Sequence, residues 1–240
     1  MSETLCLTRV RIRSGTRTLI DSLDLTIGEG ECASVMGPTG AGKSALLAWI
    51  AGTLEPGLRG RGRVSIGGDE ITTLPPERRR IGIQFADDLL FPHLDVAGNV
   101  AFALPPGIRG RKARRSSAER LLREAGLDGL GNRDPEALAG AQRAKVALMR
   151  TLAAEPRALL LDDPFSKLDP QLRADLRRFV FEQAALRGLP TLLVTRDAAD
   201  ARAAGGTVIV LSGDAVSLAP APAVAAPEAA VEARSRVRWA

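Results

Sequence analysis

The sequence predicts an α/β protein with a mostly parallel sheet core, an antiparallel β part at the N-terminus and an inserted helical subdomain. Three observations carry this. From residue 158 onward, short apolar runs alternate with helical ones, the pattern of a parallel sheet with crossover helices. Residues 4–27 instead alternate apolar with polar, as antiparallel strands with one wet face do. Between 86 and 157 the strand signals give way to helical periodicity. The expected division is an α/β core over 1–85 and 158–215, a helical subdomain over 86–157, and an Ala/Pro-rich tail over 216–240, read as disordered.

Taken in order, 4–12 is a strand, Ser14-Gly15 turns, and 19–27 is a second strand with Leu23, Leu25 and Ile27 on one face. Gly28-Glu29-Gly30 turns into an apolar strand over 32–36, and a helix follows over 45–51. A strand over 63–66 closes at Gly67-Gly68, Pro75-Pro76 breaks the chain, and 81–85 is a short strand. In the helical stretch, Pro105-Pro106-Gly107 separates a first part. A helix over 114–125 carries Leu121 and Leu122 on its apolar face and stops at Gly126. Another over 142–154 repeats Val146, Met149 and Ala153 at helical spacing until Pro156. Then come strand 159–162, helix 170–187, strand 191–195, helix 197–204 and strand 207–211. No internal repeat is visible.

Composition narrows the classes. An apolar fraction of 45% supports an ordinary core. No apolar run approaches the ~18 residues that cross a bilayer, and the first ten residues lack a signal-peptide core, so a cytosolic chain is expected. Cys6 and Cys32 sit in apolar strands, as buried reduced thiols would. The single histidine, His93, argues against a multi-histidine metal centre. The charge of +5 comes mostly from arginine, in runs at 59–63, 78–80 and 109–115. With no tyrosine and few aromatics to stack bases, a solvated basic surface is expected and no nucleic-acid partner.

The chemistry is concentrated in Gly37-Pro38-Thr39-Gly40-Ala41-Gly42-Lys43-Ser44, which reads G-x-x-x-x-G-K-S between a strand and a helix. Successive backbone N–H groups there can face a phosphate chain at a helix N-terminus. Lys43 would neutralise the β- and γ-phosphates of a nucleotide, and the Ser44 hydroxyl would sit on Mg²⁺. A Gly-rich turn without a ligand is the plainer alternative. The second half of such a site is the apolar strand ending in Asp162-Asp163-Pro164. At the carboxyl edge of a parallel sheet, Asp162 can hold a Mg²⁺-bound water and Asp163 can orient or deprotonate an attacking water. A strand-terminal Asp pair capping the next turn is the alternative there.

With these motifs the chain resembles the ATP-binding subunits of ABC transporters, particularly bacterial importers, from about residue 3 to 215. The likeness rests, in order, on Gly37 to Ser44, on Phe91-Pro92-His93-Leu94, on the signature-like Leu138-Ala139-Gly140-Ala141-Gln142-Arg143, and on the run Asp162-Asp163-Pro164-Phe165-Ser166-Lys167-Leu168-Asp169. It implies a P-loop ABC ATPase fold. It also implies a head-to-tail dimer in which ATP lies between one subunit's phosphate loop and the other's signature helix, here Gly140 and Gln142. Phe91 to Leu94 resembles the part that faces a transmembrane permease subunit. The location implied is the inner face of the plasma membrane, without the further C-terminal domain many relatives carry.

Six features depart from the family pattern. Ala86 stands where a glutamine touches Mg²⁺ and water, and Gln84 lies about 7 Å along the strand. In the signature, Ala139 replaces a serine and Ala141 a glycine. Asp163 replaces the catalytic glutamate, a stem one methylene shorter, where a ~1 Å displacement can cost ~100-fold. Arg196 occupies the switch-histidine position; it cannot accept the water's proton but can donate to a γ-phosphate. The aromatic expected to stack on adenine after the first strand is missing, and the first aromatic in the chain is Trp49. The expectation is an ATPase subunit that couples ATP binding and slow hydrolysis to solute import, as one of two copies. The alternative is a hydrolysis-deficient nucleotide-binding subunit with a structural or regulatory role. A soluble ABC-type ATPase acting on nucleic acid is disfavoured, since there is one nucleotide domain and no long coiled-coil insertion.

Overall fold

The computed structural model describes residues 3–211 and 216–219. Strands β1 (Leu5–Ser14), β2 (Arg17–Ile27), β4 (Leu58–Ile66) and β5 (Asp69–Glu70) form an antiparallel sheet in the order β2-β1-β4-β5. A six-stranded sheet joins β3 (Cys32–Met36), β6 (Ile81–Phe85), β7 (Ala158–Asp162), β8 (Thr191–Thr195), β9 (Val208–Leu211) and β10 (Val216–Ala219) in the order β10-β9-β3-β8-β7-β6. All its pairings are parallel except β9 with β10. The helices are α1 (Lys43–Ala51), α2 (Val96–Ala103), α3 (Arg111–Glu124), α4 (Gly140–Ala153), α5 (Pro170–Leu186) and α6 (Ala198–Ala204).

The parallel sheet is covered on both faces, so its strands are apolar runs without polar alternation. Residues of β7 and β8 show what each face meets. Ala158, Leu160 and Leu192 join a core with the N-terminal sheet and α1. Leu159, Leu161 and Leu193 join a second core with α2 to α5. Successive side chains of one strand thus enter two different cores.

Four features differ from the sequence expectation. Residues 216–219 were assigned to a disordered tail but form β10, which covers the outer edge of β9. An antiparallel neighbour needs only a short connection, and it removes an open row of backbone donors and acceptors. Residues 220–240 of that tail lie outside the described residues. Strand β4 begins at Leu58, because Arg59, Arg61 and Arg63 point to water and alternate with glycine, leaving no apolar signal to read. Helix α2 is set by its N-cap, where Asp95 Oδ1 accepts from Gly98 N–H at 2.6 Å. Both cysteines are free and half-buried rather than fully buried; burial pushes the Cys32 thiol up to about 12, which keeps it protonated and unreactive.

The run 78–80 is not wholly a solvated basic surface either. Arg79 is 7% exposed. Its guanidinium donates to four carbonyls, of Leu74 (2.8 Å), Thr72 (2.6 Å), Trp49 (2.9 Å) and Ile50 (2.7 Å). The last two belong to the final turn of α1, whose carbonyls have no partner within the helix. The capping Gly52 has φ +84°, and a Cβ there would lie 2.7 Å from Arg79 Nε. Replacing Arg79 with methionine keeps the apolar stem and removes the shared donor of these carbonyls, leaving Trp49 O with only the Gly52 N–H at 3.2 Å. The variant is expected to lose about 2–4 kcal/mol of unfolding free energy in equilibrium urea denaturation. A loss within the range of a surface substitution would show that the carbonyls find other partners.

Candidate functional site

Strand β3 delivers the chain to the carboxyl edge of the sheet, where residues 37–42 loop back into α1. At two of the loop's glycines a side chain would also collide with its surroundings. Gly37 has φ +152°, and a Cβ there would stand 2.6 Å from Leu211 O. Gly42 has φ +95°, with Leu19 Cβ 2.9 Å from the position a Cβ would take. Lys43 is buried to 9% exposure, and its ammonium donates to Gly37 O (2.7 Å) and Pro38 O (2.8 Å). The loop is therefore curled around a cation. Burial lowers the Lys43 pKa and the Arg196 charge lowers it further, while Asp163 and Asp162 oppose both. Helix α1 has no side-chain cap at Gly42, so its first N–H groups are left for an external acceptor.

Strands β7 and β8 end level with this loop, since Asp162 pairs with Val194 and Thr195 with Met36. Asp162 Oδ1 accepts from the Ser44 hydroxyl at 3.3 Å. Burial raises the Asp162 pKa and the neighbouring Asp163 charge adds to it, against the Ser44 hydrogen bond and Lys43. Asp163 follows with φ +49°, a left-handed conformation that costs a non-glycine residue energy and is typical of functional sites. Its N–H donates to Val194 O at 2.8 Å, which holds the turn. Asp163 Oδ1 faces the Thr195 hydroxyl at 3.4 Å and Oδ2 faces Arg196 Nη2 at 3.4 Å. Arg196 is itself largely exposed, its side chain at 61% against 23% for Asp163.

These groups line one cavity of about 500 Å³. Thr39, Gly40, Gly42, Lys43 and Ser44 form one side, and Asp162, Asp163 and Arg196 another. Leu19, Ala48 and Leu58 make an apolar wall, with Glu55 beside it. Gly37 and Pro38 stand behind the loop as acceptors for Lys43, and Ala41 is buried. Gly140 and Gln142 do not line this cavity. They open α4, where Gln142 Oε1 accepts from Ala139 N–H at 3.1 Å. Ala139 has no side-chain oxygen to return a cap, so only half of a capping box exists. Trp49 is buried with its indole against Gly60, away from the cavity.

The donor set suits a hydrated Mg²⁺ beside a phosphate chain. That ion takes one or two protein oxygens and keeps its waters. Here a hydroxyl and a desolvated carboxylate stand together next to a buried ammonium. No group of three or more histidine, cysteine or acidic residues able to hold a metal occurs among the described residues.

Sequence reasoning missed the groups behind Asp163. Thr195 Oγ1 also faces Asp200 Oδ2 at 3.3 Å and accepts from Asp197 N–H at 3.0 Å. Asp200 is 1% exposed and pairs with Arg177 at 2.8 Å. Burial raises the Asp200 pKa, and Arg177 opposes it. Arg173, one turn before Arg177 on α5, donates to Asp197 Oδ2 (2.7 Å) and Ser166 O (3.3 Å). The loops after β7 and β8 are thus braced by one helix face. An i, i+4 arginine pair on α5 was the available signal, but nothing local named its partners.

Comparison with known proteins agrees with this geometry. Residues 20–166 match the family model described as ABC transporter. The chain is 40% identical over 196 residues to YnjD, an uncharacterized ABC transporter ATP-binding protein of Escherichia coli K12, covering 82% of this chain and 90% of that protein. It is 40% identical over 190 residues to the thiamine import ATP-binding protein ThiQ of Shigella flexneri, covering 79% and 81%. It is 38% identical over 222 residues to the Fe(3+) ions import ATP-binding protein FbpC of Streptomyces avermitilis, covering 91% of this chain and 62% of that one. Among solved structures, the dimeric post-hydrolysis state of the ATP-binding cassette MJ0796 bound to ADP and Pi superposes with a TM-score of 0.72. It is 29% identical and covers 88% of this chain and 95% of that one.

The Arg177–Asp200 pair is desolvated, so removing one partner leaves an uncompensated charge. Asp200→Ala is expected to lower the unfolding free energy by about 3 kcal/mol in urea denaturation, and Arg177→Met on top of it to recover part of the loss. Equal losses in the single and double variants would mean that the stranded cation is not the cause.

Proposed function

The chain belongs to the ABC transporter family, and on that footing we propose that it is the ATP-binding subunit of an importer, hydrolysing ATP slowly in a cavity built from its own residues and completed by a second subunit. It is an ATPase of the P-loop ABC type with the fold of that family's cassettes. The observation that carries the mechanism is the meeting of Lys43, Ser44, Asp162, Asp163 and Arg196 in one cavity.

In this reading, Lys43 and the N–H groups of the loop and first turn of α1 neutralise the nucleotide's phosphates. Ser44 and Asp162 would hold Mg²⁺, which would supply charge neutralisation to the phosphates. Asp163 takes a proton from the attacking water as its oxygen bonds to the γ-phosphorus and the bond to the bridging oxygen of ADP breaks. Thr195 and Arg196 orient Asp163. Leu19 and Leu58 offer apolar contact to the base in place of aromatic stacking.

Arg196 was expected to donate to a γ-phosphate. It lines the cavity from which it can do so, and its Nη2 also stands 3.4 Å from Asp163 Oδ2. In this reading the shorter stem of aspartate, set back from the attacking water, slows hydrolysis without abolishing it.

The partners follow from what the cavity lacks. Gly140 and Gln142 stand outside it, at the N-terminus of α4, where they can serve the cavity of a second copy; the dimeric state of MJ0796 supports this arrangement. A permease subunit would dock on the face holding His93, Leu89 (59% exposed) and Phe102 (67% exposed). In this reading the protein works at the inner face of the plasma membrane. No helix among the described residues is long and apolar enough to cross a membrane.

Lys43→Ala is expected to abolish Mg-ATP binding at millimolar concentration in titration calorimetry, whereas the unchanged chain binds. Equal binding by both would remove the phosphate loop from the site. Asp163→Glu combined with Arg196→His is expected to raise phosphate release by roughly tenfold or more, since the longer carboxylate reaches the water and the imidazole accepts a proton. No gain from the double change would mean that neither residue limits turnover.

A further inference from the structure

The outer face of the N-terminal sheet carries a feature that nucleotide chemistry does not use. Arg9, Arg11 and Arg13 of β1 and Arg59, Arg61 and Arg63 of β4 are all exposed. The register sets Arg11 directly opposite Arg61 and Arg13 opposite Arg59. Like charges facing each other across two strands are destabilising, by about 0.2–1 kcal/mol per pair. The sheet places two such pairs side by side.

Beside the Arg11–Arg61 pair, on the side towards Thr8 and Arg63, the sheet is dented. The β1–β4 register shifts between Thr8 and Arg11. Arg9 (φ +48°), Ser22 (φ +54°) and Gly62 (φ +119°) all adopt left-handed backbone around the shift. At Gly62 a Cβ would come within 2.8 Å of the carbonyl oxygens of Thr8 and Arg9, so no side chain fills the dent. What remains is a cavity of about 420 Å³ whose rim includes Arg9, Arg11, Arg61, Arg63 and the hydroxyl residues Thr8 and Ser22. Of the four guanidinium groups, Arg11 is paired with Asp21 at 2.6 Å and Arg63 reaches Glu70 only at 4.0 Å. No side-chain partner is recorded for Arg9 or Arg61 among the described residues. The cavity shares no residue with the nucleotide site.

We infer that this dent is a second anion site, built for a multiply charged phosphate group such as a free pyrophosphate or an anionic lipid headgroup. Guanidinium forks bind phosphate oxygens in pairs, and the two hydroxyls complete the donor set. No aromatic lines the cavity, so the ligand is a phosphate without a stacked base. A bound dianion relieves the repulsion between Arg11 and Arg61, which in the free sheet only Asp21, paired with Arg11, offsets.

The test uses the full chain carrying Lys43→Ala, so that the phosphate loop contributes nothing, with and without the pair Arg9→Gln and Arg61→Gln. Inorganic pyrophosphate is titrated by calorimetry. Both proteins are also sedimented with phosphatidylglycerol vesicles and with phosphatidylcholine vesicles. Pyrophosphate binding that the glutamine pair weakens roughly tenfold or more supports the site with a free phosphate as its source. Retention on phosphatidylglycerol alone, lost in the glutamine pair, supports it with a lipid headgroup as the source. If neither probe binds, or both bind the glutamine variant as well, the dent is not an anion site. With Lys43 restored, the glutamine pair is expected to keep the parent's melting temperature and phosphate release, which separates this site from the catalytic one.

Discussion

Met36 pairs with Thr195, and Val194 pairs with Asp162, so three parallel strands end side by side on one edge of the sheet. That register decides where every reactive group stands. The residue after β3 begins the phosphate loop, the residue after β7 is Asp163, and the residue after β8 is Arg196. A slip of one residue in either pairing would send the neighbouring side chain to the opposite face and part the carboxylate from the loop. The register is in turn fixed by burial. Strands β7 and β8 are apolar on both faces, and each face has its own core to fill.

Arginine does much of the joining outside those cores. Arg79 closes the end of α1, and Arg114 donates to the carbonyls of Ala101, Leu104, Pro105 and Ile108 at the end of α2. Arg157 ties Glu3, Asp69 and the Ile66 carbonyl to the start of β7. A planar fork with five donors can bridge several carbonyls at once, which a lysine ammonium cannot do with the same fixed geometry. The basic composition is thus in good part internal bracing, although the runs look like plain surface charge in the sequence.

What the sequence made legible was local. Cys32–Met36, Ile81–Phe85 and Thr191–Thr195 match the strands expected, because each is a bounded apolar or β-branched run. The phosphate loop and the carboxylates were readable because their spacing within one short motif is their chemistry. Contacts that depend on long-range closure were not readable. Nothing near Thr195 announces that its one hydroxyl proton lies between Asp163 and Asp200, or that Asp200 is held by Arg177. Arg196 shows the same limit. Its type suggests a donor to a phosphate, and only the fold adds Asp163 as a neighbour. Strand β4 was half hidden because its Arg-Gly alternation presents charge where a pattern search looks for apolar residues.

Strand β7 has a mechanical consequence. Leu160 is clamped in the core below the N-terminal sheet, and Leu159 and Leu161 are clamped in the core below the helices. The strand is a shared wall, and the two carboxylates are its free rim. Neither compartment can swell or tilt without dragging that wall. A disturbance in the helical layer therefore reaches Asp162 and Asp163 through backbone alone, over a few residues, with no chain of polar contacts needed to carry it.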